Sequence, residues 1–321
     1  MLPWPAEPAE IIIKGLEKLS LVERCIPRSE ADWIEKIRDV DVLISPQVEP
    51  LTGKIINAGE KLKMIQVFNV GYENIDVEAA TKKGVIVCNI AEINAESVAQ
   101  MTWGLILALS RRIVQADRSM RAGEWRKTPY YASDFSGFEL WEKTLGIIGL
   151  GAIGARVALK GRLAFNMRVL AFDPFVPPER AQIFGVEMVD LRTLLNKSDV
   201  VSIHCPLTKQ TYHMIGEKEL ALMKRTAILV NTARGPIIEE KALIKCLETK
   251  AIRGAGLDVF EEEPLRKDSP LRKLDNVILT PHIASVTDVV DRIFNEGIKN
   301  VVDFLKGRKP RRIVNPEALK G

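Results

Sequence analysis

Short apolar runs alternate with amphipathic segments along most of the chain, and this alternation predicts its elements. In the second half, runs at 168–172, 186–189, 200–204, 227–231, 254–258 and 277–280 read as strands, while 152–165, 191–197, 217–224 and 239–249 carry a helical apolar period. An earlier, shorter series repeats the theme: strand 41–44, helix 51–58, strand 63–68, helix 76–82, strand 85–87. Strands alternating with helices predict an α/β fold of doubly wound parallel sheets, here two Rossmann-like domains. A long helix over 95–113 is the expected crossover between them. A second long helix over 287–306 leads to a short extended tail, Arg312-Ile-Val-Asn315, that is expected to return to the first domain and make it discontinuous. The expected division is 1–95 plus 285–321 for one domain and 96–284 for the other. Residues 1–10 hold three prolines and no apolar alternation, so a first strand is expected to be lost or replaced there. The segment 126–141 lacks periodicity and is expected to be a loop over the cleft.

Composition narrows the function classes. With 321 residues, 46% apolar and 27% charged, the chain has ample material for two packed cores. The formal charge of +4 comes from intermixed Lys, Arg, Asp and Glu, so no polyanion partner is implied. The one basic cluster, Lys306-Gly-Arg-Lys-Pro-Arg-Arg312, reads as a solvated helix end rather than a nucleic-acid surface. Cys25, Cys88, Cys205 and Cys246 show no Cys-x-x-Cys pair and no metal-ligand spacing, which predicts reduced thiols, no metal and a cytoplasmic setting. No targeting signal is visible at the N-terminus, and no apolar run approaches a membrane span.

The sharpest chemistry lies at Thr144-Leu-Gly-Ile-Ile-Gly149-Leu-Gly151-Ala152-Ile153-Gly154, followed by a strand ending at Asp173. A strand feeding a Gly-x-Gly-x-x-Gly turn into a helix is a dinucleotide fingerprint. The first glycine makes the turn, the second admits a pyrophosphate close to the backbone, and the third lets the helix pack on the strand. The amides of Ala152 and Ile153 and the helix dipole would hold the phosphates. Asp173 would accept the ribose hydroxyls and repel a 2′-phosphate, so NAD is expected over NADP. Strand ends at Asp173, His204, Asn231 and Asp258 place polar groups where a doubly wound sheet binds its ligand.

Only His204, His213 and His282 are available as imidazole acid/bases. His282, in Thr280-Pro-His-Ile-Ala284, sits just past a strand end and is preferred. His204 reads as a satisfied histidine near the nucleotide, and His213 as bland.

Five motifs in order, Gly149-Leu-Gly-Ala-Ile-Gly154, His204-Cys-Pro-Leu-Thr208, Asn231-Thr-Ala-Arg-Gly235, Gly254-Ala-Gly-Leu-Asp-Val-Phe-Glu-Glu-Glu-Pro264 and Thr280-Pro-His282, resemble those of the NAD-dependent D-2-hydroxyacid dehydrogenases over nearly the whole chain. The resemblance implies hydride transfer between NAD(H) and a small 2-oxo or D-2-hydroxy acid, of the glyoxylate or hydroxypyruvate type. It implies a catalytic set of Arg234, Glu263 and His282. Arg234 would bind the substrate carboxylate and polarise the carbonyl, and Glu263 would orient His282, the acid/base. It also implies substrate contacts at Asn69, Val70 and Gly71, and cofactor contacts at Gly149, Gly151, Ala152, Ile153, Gly154, Asp173, Cys205, Thr232, Ala233, Arg234, Asp258 and His282. A homodimer through residues 95–140 is the expected assembly. Departures are Gln100 for a common acid, Trp141-Glu142 for a basic–glycine pair, and Ser45-Pro46-Gln47-Val48 where phosphoglycerate enzymes carry a base. The alternatives are a phosphoglycerate dehydrogenase and a non-catalytic NAD-sensing scaffold like the C-terminal-binding-protein corepressors.

Overall fold

Parallel pairing throughout both sheets of the computed structural model follows from the βα alternation. Residues 6–45, 50–125 and 135–320 are described. The expectations for 1–5, for Pro46-Gln47-Val48 and for 126–134 of the cleft loop lie outside them.

The chain divides into two compact units, 1–94 with 287–321, and 95–286. In the first, α1 (Ala6–Leu16) and α2 (Glu30–Lys36) precede β1 (Val42–Ser45), α3 (Gly53–Ala58), β2 (Met64–Val67), α4 (Val77–Lys82) and β3 (Ile86–Cys88). The sheet order is β1-β2-β3, parallel in every pair. Where a first strand is usual for the family, the described residues form the helix α1, whose Ile12 and Leu16 are buried. The returning tail adds an antiparallel bridge from Ile313 to Cys88. Asn315 completes the join: its side chain accepts from the Val87 amide at 2.7 Å and donates to the Val85 carbonyl at 2.9 Å. Those contacts make this Rossmann-like domain discontinuous.

The second unit opens with α5 (Ala95–Ser110) and α6 (Ile113–Arg121). The helix expected over 95–113 stops at Ser110, where Arg112 adopts a left-handed φ of 51°, and the separate helix α6 was not expected. Then follow β4 (Thr144–Ile148), α7 (Ala152–Phe165), β5 (Arg168–Phe172), α8 (Pro178–Ile183), β6 (Glu187–Met188), α9 (Leu191–Lys197), β7 (Val200–Ile203), α10 (Glu217–Leu220), β8 (Ile228–Asn231), α11 (Glu240–Glu248), β9 (Gly254–Leu257) and β10 (Val277–Leu279). The all-parallel order β10-β9-β8-β7-β4-β5-β6 reverses direction between β4 and β7. Ligands bind such sheets outside the carboxyl ends of the strands at that reversal. Buried cores cover both faces: α5 and α7 contribute Trp103, Ile106, Val157 and Ala158 to one, α9 and α11 contribute Leu194, Leu195, Leu243 and Leu247 to the other. α12 (Val290–Leu305) belongs to the first unit and buries Phe294 and Val301 there.

Two departures acquire a physical reason. Glu142 sits at φ 58°, a left-handed conformation that glycine adopts without strain, so the usual glycine answers a backbone need that glutamate meets at a cost. Gln100 donates to Glu96 at 3.1 Å, and Glu96 also binds Lys160 at 2.9 Å across α5 and α7. Three arginines of the basic cluster pair with acids of α12: Arg308 with Asp303, and Arg311 and Arg312 with Glu296. All four cysteines are free thiols, and burial pushes Cys88 up to about 12 and Cys205 up to about 11. Among the described residues, no helix is long and apolar enough to cross a membrane.

Candidate active site

The glycine turn shows what each of its three glycines does. Gly149 adopts φ +92°, and a Cβ there would lie 2.5 Å from the Cys205 amide nitrogen. Gly154 faces inward, where a Cβ would come within 2.1 Å of the Gly149 carbonyl oxygen, so only glycine lets α7 approach β4. Gly151 is different: a Cβ would meet nothing within 4 Å. It caps α7 without a side-chain hydrogen bond, so no cap side chain occupies the first-turn amides of Ala152 and Ile153. An anionic group fits there by charge and by room. Asp173, at the end of β5, is fixed by two amides, Leu150 N–H at 2.9 Å and Phe175 N–H at 2.9 Å. Its carboxylate is therefore held beside the glycine turn, as a ribose acceptor needs to be. These features fit NAD.

Beyond β7, His204 is half of what the sequence suggested. Its Nε2 pairs with Ser202 Oγ at 2.8 Å, but its Nδ1 is buried with no partner among the described residues. Burial pushes its pKa down to about 3, so it stays neutral and is a poor proton donor. Cys205 follows it and abuts Gly149.

Beyond β8, Asn231 organises the turn that presents Arg234. Its Oδ1 accepts from Ala233 N–H at 3.0 Å and its amide donates to the Arg234 carbonyl at 2.9 Å. Thr232 shares a buried hydroxyl contact with Thr102 at 3.0 Å. The Arg234 guanidinium donates to the Ala233 carbonyl at 2.7 Å.

Beyond β9 and β10, Glu263 and His282 meet: Nδ1 of the imidazole lies 2.7 Å from Oε2 of the carboxylate. The other carboxylate oxygen accepts from the Phe260 amide at 3.0 Å. The hydrogen bond that His282 donates to Glu263 raises the imidazole pKa above its ordinary 6.5, against partial burial and the nearby Arg234 charge. Burial acts upward on Glu263, but His282, the Phe260 amide and Arg234 together hold its carboxyl below 4.5. Arg234, Glu263 and His282 are thus close enough to feel one another's charge, and His282 keeps 48% of its side chain exposed.

His282 itself adopts φ 54°. Asp258, fully buried, holds that unusual turn: one oxygen accepts from Thr280 Oγ1 and Ile283 N–H, the other from Ala284 N–H, and the Asp258 carbonyl accepts from His282 N–H at 2.8 Å. The sequence named Asp258 as a cofactor contact; its visible work is on the histidine turn, a contact set that no spacing rule announces.

In the other unit, Asn69-Val70-Gly71 follows β2 as a structured turn. Asn69 Oδ1 accepts from Val70 N–H at 2.8 Å, and the Val70 carbonyl accepts from Asn89 at 2.7 Å. Gly71 is buried and Asn69 is exposed.

Residues 103–284 match the family model described as the NAD-binding domain of D-isomer-specific 2-hydroxyacid dehydrogenases. Among curated relatives, a glyoxylate reductase of Korarchaeum cryptofilum is 42% identical over 97% of this chain and 95% of its own length. A D-3-phosphoglycerate dehydrogenase of Methanocaldococcus jannaschii is 45% identical over 95% of this chain and 57% of its own. Among solved structures, the D-lactate dehydrogenase of Aquifex aeolicus complexed with NAD and lactic acid superposes with a TM-score of 0.84 at 33% identity, covering 100% of this chain and 97% of that one. The chain belongs to the NAD-dependent D-isomer-specific 2-hydroxyacid dehydrogenases.

Proposed function

We propose that this dehydrogenase reduces small 2-oxo acids of the glyoxylate or hydroxypyruvate type to D-2-hydroxy acids, with Arg234, Glu263 and His282 as its catalytic set. The observation that carries the proposal is the 2.7 Å His282–Glu263 pair with its raised imidazole pKa, beside the Arg234 charge.

NADH, when bound, supplies the hydride that the chain cannot. The first-turn amides of Ala152 and Ile153 would hold its pyrophosphate at the turn that Gly149, Gly151 and Gly154 shape. Asp173 would take the ribose hydroxyls, and Cys205, Thr232, Ala233, Arg234 and His282 would border the rest of its path, with the buried Asp258 acting through the His282 turn. Arg234 binds the substrate carboxylate with its planar fork and polarises the neighbouring carbonyl. Asn69, Val70 and Gly71 of the first unit are the further substrate contacts of this reading, through the amides of Asn69 and Gly71, since Asn69 Oδ1 engages the Val70 amide. Glu263 accepts from Nδ1 and raises the pKa of His282, which favours the charged imidazole; its Nε2 proton passes to the carbonyl oxygen as the alkoxide forms. In the oxidative direction the neutral imidazole takes that proton back. Glu263 stays ionised throughout and fixes the ring's orientation.

The glyoxylate reductase relatives favour the small substrate, and the phosphoglycerate dehydrogenase relative supplies the second candidate. NADH consumption with glyoxylate, hydroxypyruvate, pyruvate and phosphohydroxypyruvate separates them. Preference for the first two supports the proposal; preference for the phosphorylated acid by tenfold or more in kcat/KM replaces it, and turnover of none favours the scaffold. A homodimer is part of the proposal, supported by the exposed apolar Ile113, Met120 and Trp125 on and after α6. Light scattering is expected to give twice the chain mass, and a monomer would remove it.

A further inference from the structure

A second imidazole–carboxylate pair, His213 with Glu261, lies in the same unit as the first. We propose that it is a positioning brace, holding the loop that carries Arg234 and the loop that carries Glu263 in one register. The proposal rests on the roles given above to those two residues.

On one side, the backbone after Arg234 is zipped to the segment around His213. The His213 amide donates to the Pro236 carbonyl at 2.8 Å, Ile215 N–H to Ile237 at 3.1 Å, and Glu239 N–H to Ile215 at 3.0 Å. On the other side, the His213 Nε2 bonds to Glu261 Oε1, with only 30% and 31% of the two side chains exposed. The Tyr212 ring stacks on the imidazole at 4.0 Å and 18°.

Glu261 is the junction. Its second oxygen accepts from Glu240 N–H at 3.1 Å, while its own amide donates to the Glu240 carboxylate at 3.2 Å. The backbones meet directly as well: a Cβ on Gly235, next to Arg234, would lie 1.8 Å from the Phe260 carbonyl oxygen and 2.5 Å from Glu261 N. One residue earlier, the Phe260 amide holds Glu263 Oε1, and Glu263 Oε2 holds His282. A continuous path therefore runs from His213 through Glu261 and Phe260 to the catalytic imidazole, and a second from the His213 backbone through Pro236 to Arg234.

The brace has a reason to contain histidine. Glu240, Glu261 and Glu262 crowd one another: burial first, then the charges of Glu261 and Glu262, raises the pKa of Glu240. An imidazole N–H donor on the far side of Glu261 draws that carboxylate away from its neighbours and sets its orientation. A hydrogen bond to an ionised acceptor is the strong kind, so removing it releases the loop rather than merely loosening it.

The test compares His213→Asn with His213→Gln. Both are amides, but only glutamine is long enough to reach Glu261, and asparagine is at ease in the left-handed backbone that His213 adopts at φ 50°. The first readout is an NMR titration of the cofactor-free protein, in which three histidines give three assignable imidazoles. His213→Asn is expected to move the His282 midpoint downward, as Glu263 loses its fixed seat, and His213→Gln to restore it. The second readout is steady-state reduction of glyoxylate. His213→Asn is expected to raise KM about tenfold, the scale of one charge-assisted hydrogen bond at Arg234, with NADH affinity unchanged and kcat reduced less. Equal behaviour of the two variants, or a lowered Tm with the His282 midpoint and KM both at wild-type values, overturns the brace. If the wild-type enzyme turns over no oxo acid, the proposed function fails, and the titration still decides whether His213 positions Glu263.

Discussion

Gly151 and Gly154 stand three residues apart in the same turn, and the structure gives them opposite dependencies. Alanine at 151 adds a methyl that meets nothing within 4 Å, on a residue whose φ of −77° any amino acid accepts. Alanine is a poorer helix cap than glycine by a few tenths to about 1 kcal/mol, and it recovers about 0.4–1 kcal/mol through the unfolded chain, so the net effect on the fold is near zero. The added methyl lies where a pyrophosphate must approach the first turn of α7. Losing one charge-assisted hydrogen bond there costs about 1.5–3 kcal/mol, or about 10- to 150-fold in NADH affinity. Alanine at 154 instead drives a methyl to 2.1 Å from the Gly149 carbonyl oxygen and 3.1 Å from Ile147 Cγ2. Backbone cannot swing aside as a side chain does, so overpacking of about 1–3 kcal/mol or more is expected, and a fall in Tm of roughly 3–10 °C. Thermal melts of the cofactor-free protein and fluorescence titration with NADH read the two effects separately. Gly151→Ala should melt with the wild type and bind NADH weakly; Gly154→Ala should melt early. Wild-type NADH affinity in Gly151→Ala, or an equal loss of Tm in both variants, would refute the division of labour.

Other consequences follow from the same geometry. Because Glu263 raises the pKa of His282, kcat/KM for reduction should hold at low pH and fall through a midpoint above 6.5, while oxidation rises through the same midpoint. The pair's contribution to folding has the same sign: complete below 6.5, lost as pH climbs through the raised value, and lost again in acid as Glu263 protonates below 4.5. Glu263→Gln should shift the reductive limb to lower pH, and an unmoved limb would remove Glu263 from the account. Asp173→Ala should narrow the preference for NADH over NADPH and cost about 1 kcal/mol of stability through the freed Leu150 and Phe175 amides; an unchanged cofactor ratio counts against its ribose role. Glu142→Gly should raise Tm by a few degrees by relieving a left-handed glutamate worth about 1 kcal/mol, and a lower Tm would show that the side chain compensates.

The sequence made some of this legible for simple reasons. α7, β5 and α9 fall on the residues their periods indicate, because each is bounded by glycine, an N-cap aspartate or a charged strand end. The meeting of Glu263 with His282 was legible only through family resemblance, since no local spacing relates the loop after β9 to the loop after β10. Arg112 hid the end of α5, because arginine is a good helix former and nothing beside it announces a left-handed turn. His213 and Glu261 escaped for a similar reason. Each looks like an ordinary surface residue in its own segment, and only the zipping of 213–215 onto 236–239 brings their loops together. His204 misled in the other direction: its strand-end position suggested a fully satisfied ring, while the fold leaves Nδ1 buried and unpartnered among the described residues.

His282, its pKa raised by Glu263, is the proposed proton donor in 2-oxo acid reduction. The most direct test of that role is NADH-dependent reduction of glyoxylate by the wild type and by His282→Gln, with NADH affinity measured alongside. Turnover by the wild type is expected, with a loss of about 10²- to 10⁴-fold in kcat for the variant at nearly unchanged NADH affinity. A variant that reduces glyoxylate at the wild-type rate would contradict that role.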